Sequence, residues 1–187
     1  MTQHKPARRK KVARREPGFS GETIPSPETF KKVIQYNKVV LYEYIGALEK
    51  LPWKTVSQNM EASHSSMKDT VVHIITVYNG WLNYIARGRA SEIPYDTGNP
   101  ERYRSMKDVR AFADKVWAGV DSLVLGLDEA DLRRRVKAPW FAVSNTLADA
   151  LMQVTLEQAH HTGEIIALLW QLNIEPPEMT WIMKTRG

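Results

Sequence analysis

The prediction of the fold begins with the stretch TLADALMQVTLEQAHHTGEIIALLWQL, residues 146–172. Its apolar residues recur at steps of three and four, which is the spacing of an amphipathic α-helix that packs on one side. Thr146 and, three residues later, Asp149 resemble a capping pattern, so we expect the helix to begin there and to run to about Leu172. The stretch therefore predicts one long helix of a helical protein.

Three further segments show the same spacing. The predicted helices run from Ser26 to about Lys50, from about Ser66 to Ala86 and from Ser105 to about Leu125. Four helices of about 20 residues, joined by long connections, predict an all-α fold, a four-helix bundle. An up-down-up-down arrangement is the simplest topology, and long connections also permit crossovers. Before the last helix, LRRRVKAPWFAVSN (132–145) is expected to hold a short strand or an irregular crossover.

The composition of the 187 residues limits the possible classes of protein. Hydrophobic residues make up 43% and charged residues 25%, as in ordinary soluble globular proteins. There is no cysteine, which excludes disulfides, thiolate metal sites and cysteine nucleophiles. No apolar run approaches the roughly 20 residues of a membrane span, and the N-terminus lacks the apolar core of a signal peptide. We therefore expect a cytoplasmic protein that does not contact a membrane.

The net charge of +5 is concentrated at the N-terminus. Seven of the 26 basic residues precede the first acidic residue, Glu16, which leaves 19 basic and 21 acidic residues in the rest of the chain. We therefore divide the chain into a basic tail and linker, residues 1–25, and one helical domain, residues 26–187. A solvated, disordered tail is one interpretation of RRKKVARR (8–15). Weak, nonspecific binding of nucleic acid through counterion release is the other.

Helical phase brings three potential metal ligands together. In the last helix Glu157 and His161 are one turn apart in the middle of the apolar stripe, whereas His160 lies about 100° away. In the second helix His73 shares a stripe with apolar residues. Two imidazoles and a carboxylate can hold a divalent ion such as Zn, Ni, Fe or Mn and leave positions open for water or substrate. The alternative is a metal-free core in which His73 has a hydrogen-bond partner and Glu157 pairs with a basic residue.

Two stretches also carry a family resemblance. TVVHIITVYNGWLNYIARG (70–88) and TLADALMQVTLEQAHHTGEIIALLWQLNIEPP (146–177) resemble the DinB-like four-helix-bundle family, also described as YfiT-like metal-dependent hydrolases. The resemblance covers most of residues 26–177. It implies a divalent-metal site formed by a histidine early in the second helix and a pair spaced four apart in the last helix. That pair usually belongs to a pattern like His-x-x-His-His-x-Gly-Gln.

Carried over residue by residue, the resemblance assigns His73 and His161 as ligands, and the sequence departs from the pattern at two positions. Glu157 stands where the family usually has the first histidine of the pair, and Glu164 stands where it has glutamine. A carboxylate oxygen can replace an imidazole nitrogen at a similar metal distance, so the implied ligand set is His73, Glu157 and His161. His160 is expected to neighbour the site rather than to be a fourth ligand.

The resemblance also implies an activity. Family members include transferases and isomerases that use low-molecular-weight thiols, so the predicted protein is a metal-dependent enzyme of a small molecule, a hydrolase or a thiol-dependent S-transferase. Two other classes stay open, namely a noncatalytic, stress-associated helical protein with a vestigial metal site and a protein that associates with nucleic acid through its tail. We also expect a homodimer, since bundles of this kind often pair through helix faces.

The connections between helices offer candidates for the walls of a pocket. Trp140 and Phe141 precede the last helix, and Tyr95 follows the second. These long connections are the expected places for residues that line a site at one end of the bundle. His64, in the polar stretch SHSS (63–66) before the second helix, is expected to belong to a polar helix entrance, and reach to a substrate is the alternative.

Overall fold

The computed structural model describes residues 24–88, 98–139 and 141–184. In chain order the elements are α1 Pro27–Leu48, α2 Trp53–Ser57, α3 Met67–Tyr78, α4 Met106–Leu125, α5 Glu129–Arg133, β1 Arg135–Val136, β2 Asn145–Thr146, α6 Leu147–Gln171 and α7 Trp181–Lys184. The four long helices α1, α3, α4 and α6 form the predicted all-α bundle. None of the described helices is long and apolar enough to cross a membrane. The predicted tail lies outside the described residues except for Ile24 and Pro25, and Tyr95 and Trp140 also lie outside them.

Side-chain caps determine where the long helices begin. Ser26, Ser66 and Ser105 each accept a hydrogen bond from the backbone N–H three residues further on. At the start of α6, Thr146 and Asp149 form a reciprocal capping box, in which each side chain binds the other residue's backbone N–H. All four predicted starts are confirmed. Between α5 and α6, the expected short strand is one half of an antiparallel pair formed by β1 and β2.

Side-chain pairs show that α1 is antiparallel to α4 and that α3 is antiparallel to α6. Three pairs join α1 to α4 in reverse order along the two helices: Lys38–Asp121, Tyr42–Asp114 and Glu49–Arg110. In the same way, α3 is antiparallel to α6, because His73 lies beside His161 and Trp81, further along α3, shares a cleft with Ala150. The partners of α1 in the bundle are α4 and α6, and those of α3 are also α4 and α6.

In contrast, α3 and α4 run in the same direction. Lys68, at the start of α3, reaches the carbonyl of Pro100 ahead of α4, whereas Tyr78 packs on Trp117 further along both helices. The four long helices therefore run up, down, down and up. The structure takes the crossover that long connections permit instead of the simplest alternating order.

The second long helix continues beyond α3 as a π-helical segment, Asn79–Ile85, which the sequence pattern does not reveal. A π segment accommodates extra residues and so rotates the side chains that follow it. The amide of Asn83 points at α4, where its Nδ2 donates to the carbonyl of Val116 at 2.8 Å. A Cβ atom at position 119 would lie only 2.2 Å from Asn83 Oδ1, so this approach of the two helices requires Gly119.

Three buried polar residues link α1, α3 and α6, and we term them the amide cluster: Asn37, Tyr78 and Gln158. Their exposed fractions are 4%, 0% and 2%. Asn37 Nδ2 donates to the hydroxyl of Tyr78 at 2.9 Å, and Gln158 Nε2 donates to the backbone carbonyl of Asn37 at 2.7 Å. Polar groups in such a site are tolerated because they bind one another.

Candidate metal centre

Three imidazole rings converge beside the contact between α3 and α6. His73 comes from α3, His161 from α6 and His64 from the loop that precedes α3, and we term the three residues the histidine cluster. Ring centroids lie 3.9 Å apart for His64 and His73, 4.6 Å for His73 and His161, and 4.8 Å for His64 and His161. One potential ligand atom of each ring lies within 4.8 Å of the other two. His161 is buried, and the other two rings are half-buried.

The carboxylate of Glu157 lies against this cluster. Its Oε2 is 3.3 Å from His161 Nε2 and 3.7 Å from His73 Nε2, so the three predicted ligands do come together. Its Oε1 accepts a hydrogen bond from Gln153 Nε2 at 2.8 Å. Contrary to expectation, Glu157 is half-buried at the edge of the apolar stripe, because the position of α6 that faces the core at this level is Gln158.

Both ring nitrogens of His161 face carboxylate oxygens. Its Nδ1 lies 2.7 Å from Oε2 of Glu164, and its Nε2 faces Glu157. If a neutral ring donates its Nδ1 proton to Glu164, its Nε2 carries a lone pair that points at another acceptor 3.3 Å away. Two acceptors at that distance need a cation or a proton between them. A divalent ion meets this need, and so does a second proton on His161.

The other two imidazoles are held in the neutral form that binds metal ions. Burial, with smaller effects of the nearby His64 and His161, lowers the pKa of His73 to about 4. Burial, with a smaller effect of His161, also lowers the pKa of His64. Imidazole must be deprotonated to be a ligand, so these rings are available at neutral pH. The nitrogen and carboxylate donors together suit first-row divalent ions.

Glu164 is a carboxylate that orients the cluster. Burial alone would raise the pKa of its carboxyl group, but hydrogen bonds with His161 and Ser63 outweigh burial and hold that pKa below its usual value. A carboxylate that accepts from the remote nitrogen of a ligating histidine fixes the orientation of the ring. His160, by comparison, has a side chain that is 68% exposed, and its Nε2 lies 3.8 Å from Glu164 Oε1.

A cleft of about 260 Å³ lies one turn of α6 away from Glu157. Its walls are contributed by the π-helical segment, the connection before α6 and α6 itself: Trp81, Phe141, Val143, Asn145, Asp149, Ala150 and Gln153. Phe141 thus lines a pocket, as expected, with its ring centroid 5.8 Å from that of Trp81. Gln153 belongs to the cleft and also binds Glu157, so the cleft and the histidine cluster share a hydrogen bond.

Comparisons with known proteins agree with this arrangement. The family model of the DinB superfamily matches residues 13–165. The chain belongs to the DinB superfamily. A similar solved structure is that of a DinB-like protein from Bacillus cereus ATCC 10987, with 20% identity and a TM-score of 0.60, covering 83% of this chain and 99% of that chain. At this identity the likeness concerns the fold alone. The comparison with curated proteins finds no match.

The superfamily is generally metal-binding, and this chain has histidine and glutamate groups that could hold an ion. The ligand set His73, Glu157 and His161 stays a prediction, as do the homodimer and the binding of nucleic acid by the tail. Glu157 and Glu164, the two departures from the family pattern, lie on opposite nitrogens of His161. Both departures therefore place a carboxylate beside His161, and His161 stays in the cluster.

His64 is the residue whose place the sequence analysis missed. It was expected at a polar helix entrance from which it could reach a substrate, and in the structure its ring stacks on His73 at an interplanar angle of 20°. One signal was available, because the N-cap Ser66 precedes His73 by two helical turns and so lies on the same face of α3. A residue just before that cap can fold back over His73. The turn that makes it do so depends on backbone angles that no periodicity announces.

Proposed function

We propose that this protein binds a divalent metal ion through His73, Glu157 and His161 and acts on a small molecule as a hydrolase or a thiol-dependent S-transferase. The observation that carries the proposal is the contact of His161 Nε2 with Glu157 Oε2 at 3.3 Å, beside two imidazoles whose burial keeps them neutral. Lone pairs that converge in this way form a cation site. Membership of a superfamily that generally binds metals supports the same conclusion.

Each neighbouring side chain has a role in such a site. The ion, when bound, supplies Lewis-acid chemistry that activates water for hydrolysis or holds a thiolate for transfer. Glu164 holds the Nδ1 proton of His161 and directs the other nitrogen at the ion. Gln153 donates to Glu157 and thereby holds that carboxylate in place. The half-buried positions of His73 and Glu157 leave the site accessible to a reactant.

The cleft is the proposed place for the small molecule. Its volume of about 260 Å³ approaches that of ordinary ligand pockets, which begin near 300 Å³. Trp81 and Phe141 offer aromatic surface, while Asn145 and Gln153 offer amide groups for orientation. Because Gln153 also binds Glu157, a molecule in the cleft lies next to the proposed metal ligands.

Metal content and calorimetry test the proposal. Protein purified without a nickel column should contain close to one divalent ion per chain. Metal-free protein should bind Zn²⁺, Ni²⁺ or Mn²⁺, and His73→Ala and His161→Ala should each weaken that binding about 100-fold, as expected for loss of a ligand that binds the ion directly. Undiminished binding by both variants would refute the metal site.

Product analysis then separates the two reactions. Esters, amides and alkyl electrophiles are incubated with metal-loaded protein in the presence and absence of a low-molecular-weight thiol. Products that carry the mass of the thiol identify a transferase, and products that appear without thiol identify a hydrolase. Metal-loaded wild-type protein should convert at least one substrate that the His161→Ala variant does not convert. If it converts none, the enzymatic part of the proposal fails.

A further inference from the structure

We infer that His64 is an additional metal ligand, carried by the loop of residues 58–66, so that three imidazoles from two helices and a loop hold the ion. This inference rests on the proposed metal site and extends it to a residue that the helical pattern does not include. Its consequence is that metal binding and the order of this loop depend on each other.

The first support is the position of the His64 ring. It lies 3.9 Å from the ring of His73 and 4.8 Å from that of His161, and it supplies one of three ligand atoms that all lie within 4.8 Å of one another. Within the part of the chain that the structure describes, the ring nitrogens of His64 make no hydrogen bond, although the ring is half-buried. A half-buried imidazole with an unpaired ring nitrogen beside two other imidazoles is suited to be a ligand, and binding of the ion would turn its ring out of the stack on His73.

The second support is the way the loop is built. Glu61 and Ser65 both adopt left-handed backbone angles, with φ of 56° and 65°, which are unfavourable for residues that have a Cβ atom. The backbone N–H of Met60 donates to the carbonyl of Ser65 at 2.7 Å, and that of Ser65 donates to Ala62 at 3.0 Å. Unfavourable angles persist only where surrounding contacts hold them. The turn is thus a defined one, and it aims His64 at the cluster.

The third support is a link between the loop and His161. Ser63 Oγ donates to Glu164 Oε2 at 2.8 Å, and the same oxygen lies 2.7 Å from His161 Nδ1. One carboxylate therefore positions a ligand on α6 and the loop that carries His64. Glutamine, which the family pattern has here, offers one acceptor oxygen and one donor group, whereas both oxygens of glutamate accept. Glu164 and Ser63 act as positioning residues.

Ligand counting gives the inference a chemical consequence. With Glu157 replacing an imidazole, the two helices supply only two histidines, and His64 restores a third. Together with Glu157 the protein then offers four ligands, which saturates a tetrahedral ion such as Zn²⁺. An ion that prefers six ligands keeps two positions for a reactant. His64 therefore favours Ni²⁺, Fe²⁺ or Mn²⁺ as the ion that supports activity.

Calorimetric titration of Zn²⁺ and Ni²⁺ into the metal-free full-length chain tests the inference. His64→Ala should weaken binding at least tenfold. His64→Phe, which keeps a ring to stack on His73 but has no lone pair, should weaken it equally. His160→Ala, which removes an exposed imidazole, should stay within twofold of wild type. Binding by His64→Phe at the strength of wild type would show that the ring only packs, and would overturn the inference.

Two further readouts follow the loop and the coordination number. Addition of Zn²⁺ should slow amide hydrogen exchange across residues 58–66 in wild type, less so in Ser63→Ala and not in His64→Phe. The visible spectrum of bound Co²⁺ should differ between wild type and His64→Phe, because the number of ligands changes. Identical spectra and identical exchange would overturn the inference.

The same titrations separate this inference from the proposed function. If His161→Ala loses binding while His64→Phe does not, the metal site stands and the role of His64 fails. If wild type binds no divalent ion, both fail together. Melting curves of each metal-free variant establish that the comparison is made between folded proteins.

Discussion

The amide cluster and the histidine cluster both include residues of α3 and α6, yet their polar groups are satisfied in different ways. In the amide cluster, donors of Asn37 and Gln158 meet acceptors of the protein itself, and the residues are sealed from water. In the histidine cluster, lone pairs face carboxylate oxygens and other rings, and the group is half open. The amide groups of Asn37 and Gln158 thus join helices, although Gln158 Oε1 has no hydrogen-bond partner among the described residues. The lone pairs of the histidine cluster converge beside a carboxylate and leave room for a cation.

Two substitutions, one in each cluster, should have the largest effects, and their effects on stability and on metal affinity should be opposite. Gln158→Ala should lower the free energy of unfolding by about 2–4 kcal/mol, because it leaves a cavity and removes the donor to the Asn37 carbonyl. Its affinity for Zn²⁺ should stay within about threefold of wild type. His161→Ala should show the reverse, a stability close to that of the metal-free wild type and a large loss of affinity. Denaturant melts measure the stability of both variants, and calorimetry measures their affinity for Zn²⁺. Equal losses of stability would show that the two clusters do not differ in this way.

The pH dependence of the metal-free protein gives the next effect. The pKa of His73 is about 4 in the folded state and about 6.5 in an unfolded chain. Between these values the unfolded state binds a proton that the folded state does not, so the free energy of unfolding falls as the pH is lowered from 6.5 to 4. We expect a loss of about 1–2 kcal/mol, less than the full shift because the half-buried ring is partly screened by solvent.

Denaturant melts in the presence of a chelator measure this loss. His73→Phe should remove most of it, because the lowered pKa of His64 contributes the remainder, and His160→Ala should keep it. Tyr78 and Gln158, which do not titrate in this range, should contribute nothing to it. A variant without His73 that retained the whole loss would assign it to other groups.

Glu157→Gln should change stability less than Gln158→Ala does. It tests whether the imidazoles of the metal-free site are neutral. If the metal-free site has neutral imidazoles, the change removes a repulsion between acceptors, and the free energy of unfolding should stay equal or rise by up to about 1 kcal/mol. Affinity for Zn²⁺ should fall about tenfold, since an amide oxygen lacks the charge of a carboxylate. A destabilised variant would instead indicate an imidazolium of His161 paired with Glu157 in the absence of metal.

The smallest expected effect is that of the basic tail. Deletion of residues 1–16 removes seven positive charges that precede the helical domain. The helicity should not change. The free energy of unfolding and the free energy of Zn²⁺ binding should each change by less than about 0.5 kcal/mol. Circular dichroism and calorimetry measure this, and an unfolded product would show that the tail is structural. Any salt-sensitive binding of nucleic acid should disappear with the deletion.

The helix starts and the one-turn contact of Glu157 with His161 could be predicted from the sequence because their causes are local. A cap such as Thr146 with Asp149 depends on four consecutive residues, and the one-turn spacing of Glu157 and His161 depends on five. Steps of three and four from Val154, however, reach Glu157 and Gln158 equally well. Only the carbonyl of Asn37 on another helix decides that Gln158 faces the core.

Three other features could not be predicted for similar reasons. The direction of α4 depends on long-range side-chain pairs that no local pattern contains. The π-helical segment Asn79–Ile85 begins with an Asn-Gly pair, which signals an irregularity but not its kind, so its rotation of Asn83 becomes visible only in the packing. The turn that delivers His64 uses left-handed Glu61 and Ser65, neither of which is a glycine that would announce such angles.

The up, down, down, up order of the helices also sets the time at which the site can exist in a newly made chain. His64 and His73 leave the ribosome well before α6, and the helix between them and α6 in the sequence, α4, contributes nothing to the cluster. Contacts between such distant parts of a chain form late, because a long loop must be closed first. During synthesis His64 and His73 therefore have no contact with His161 until nearly the whole domain has been translated, and the completed histidine cluster reports that the last helix has docked.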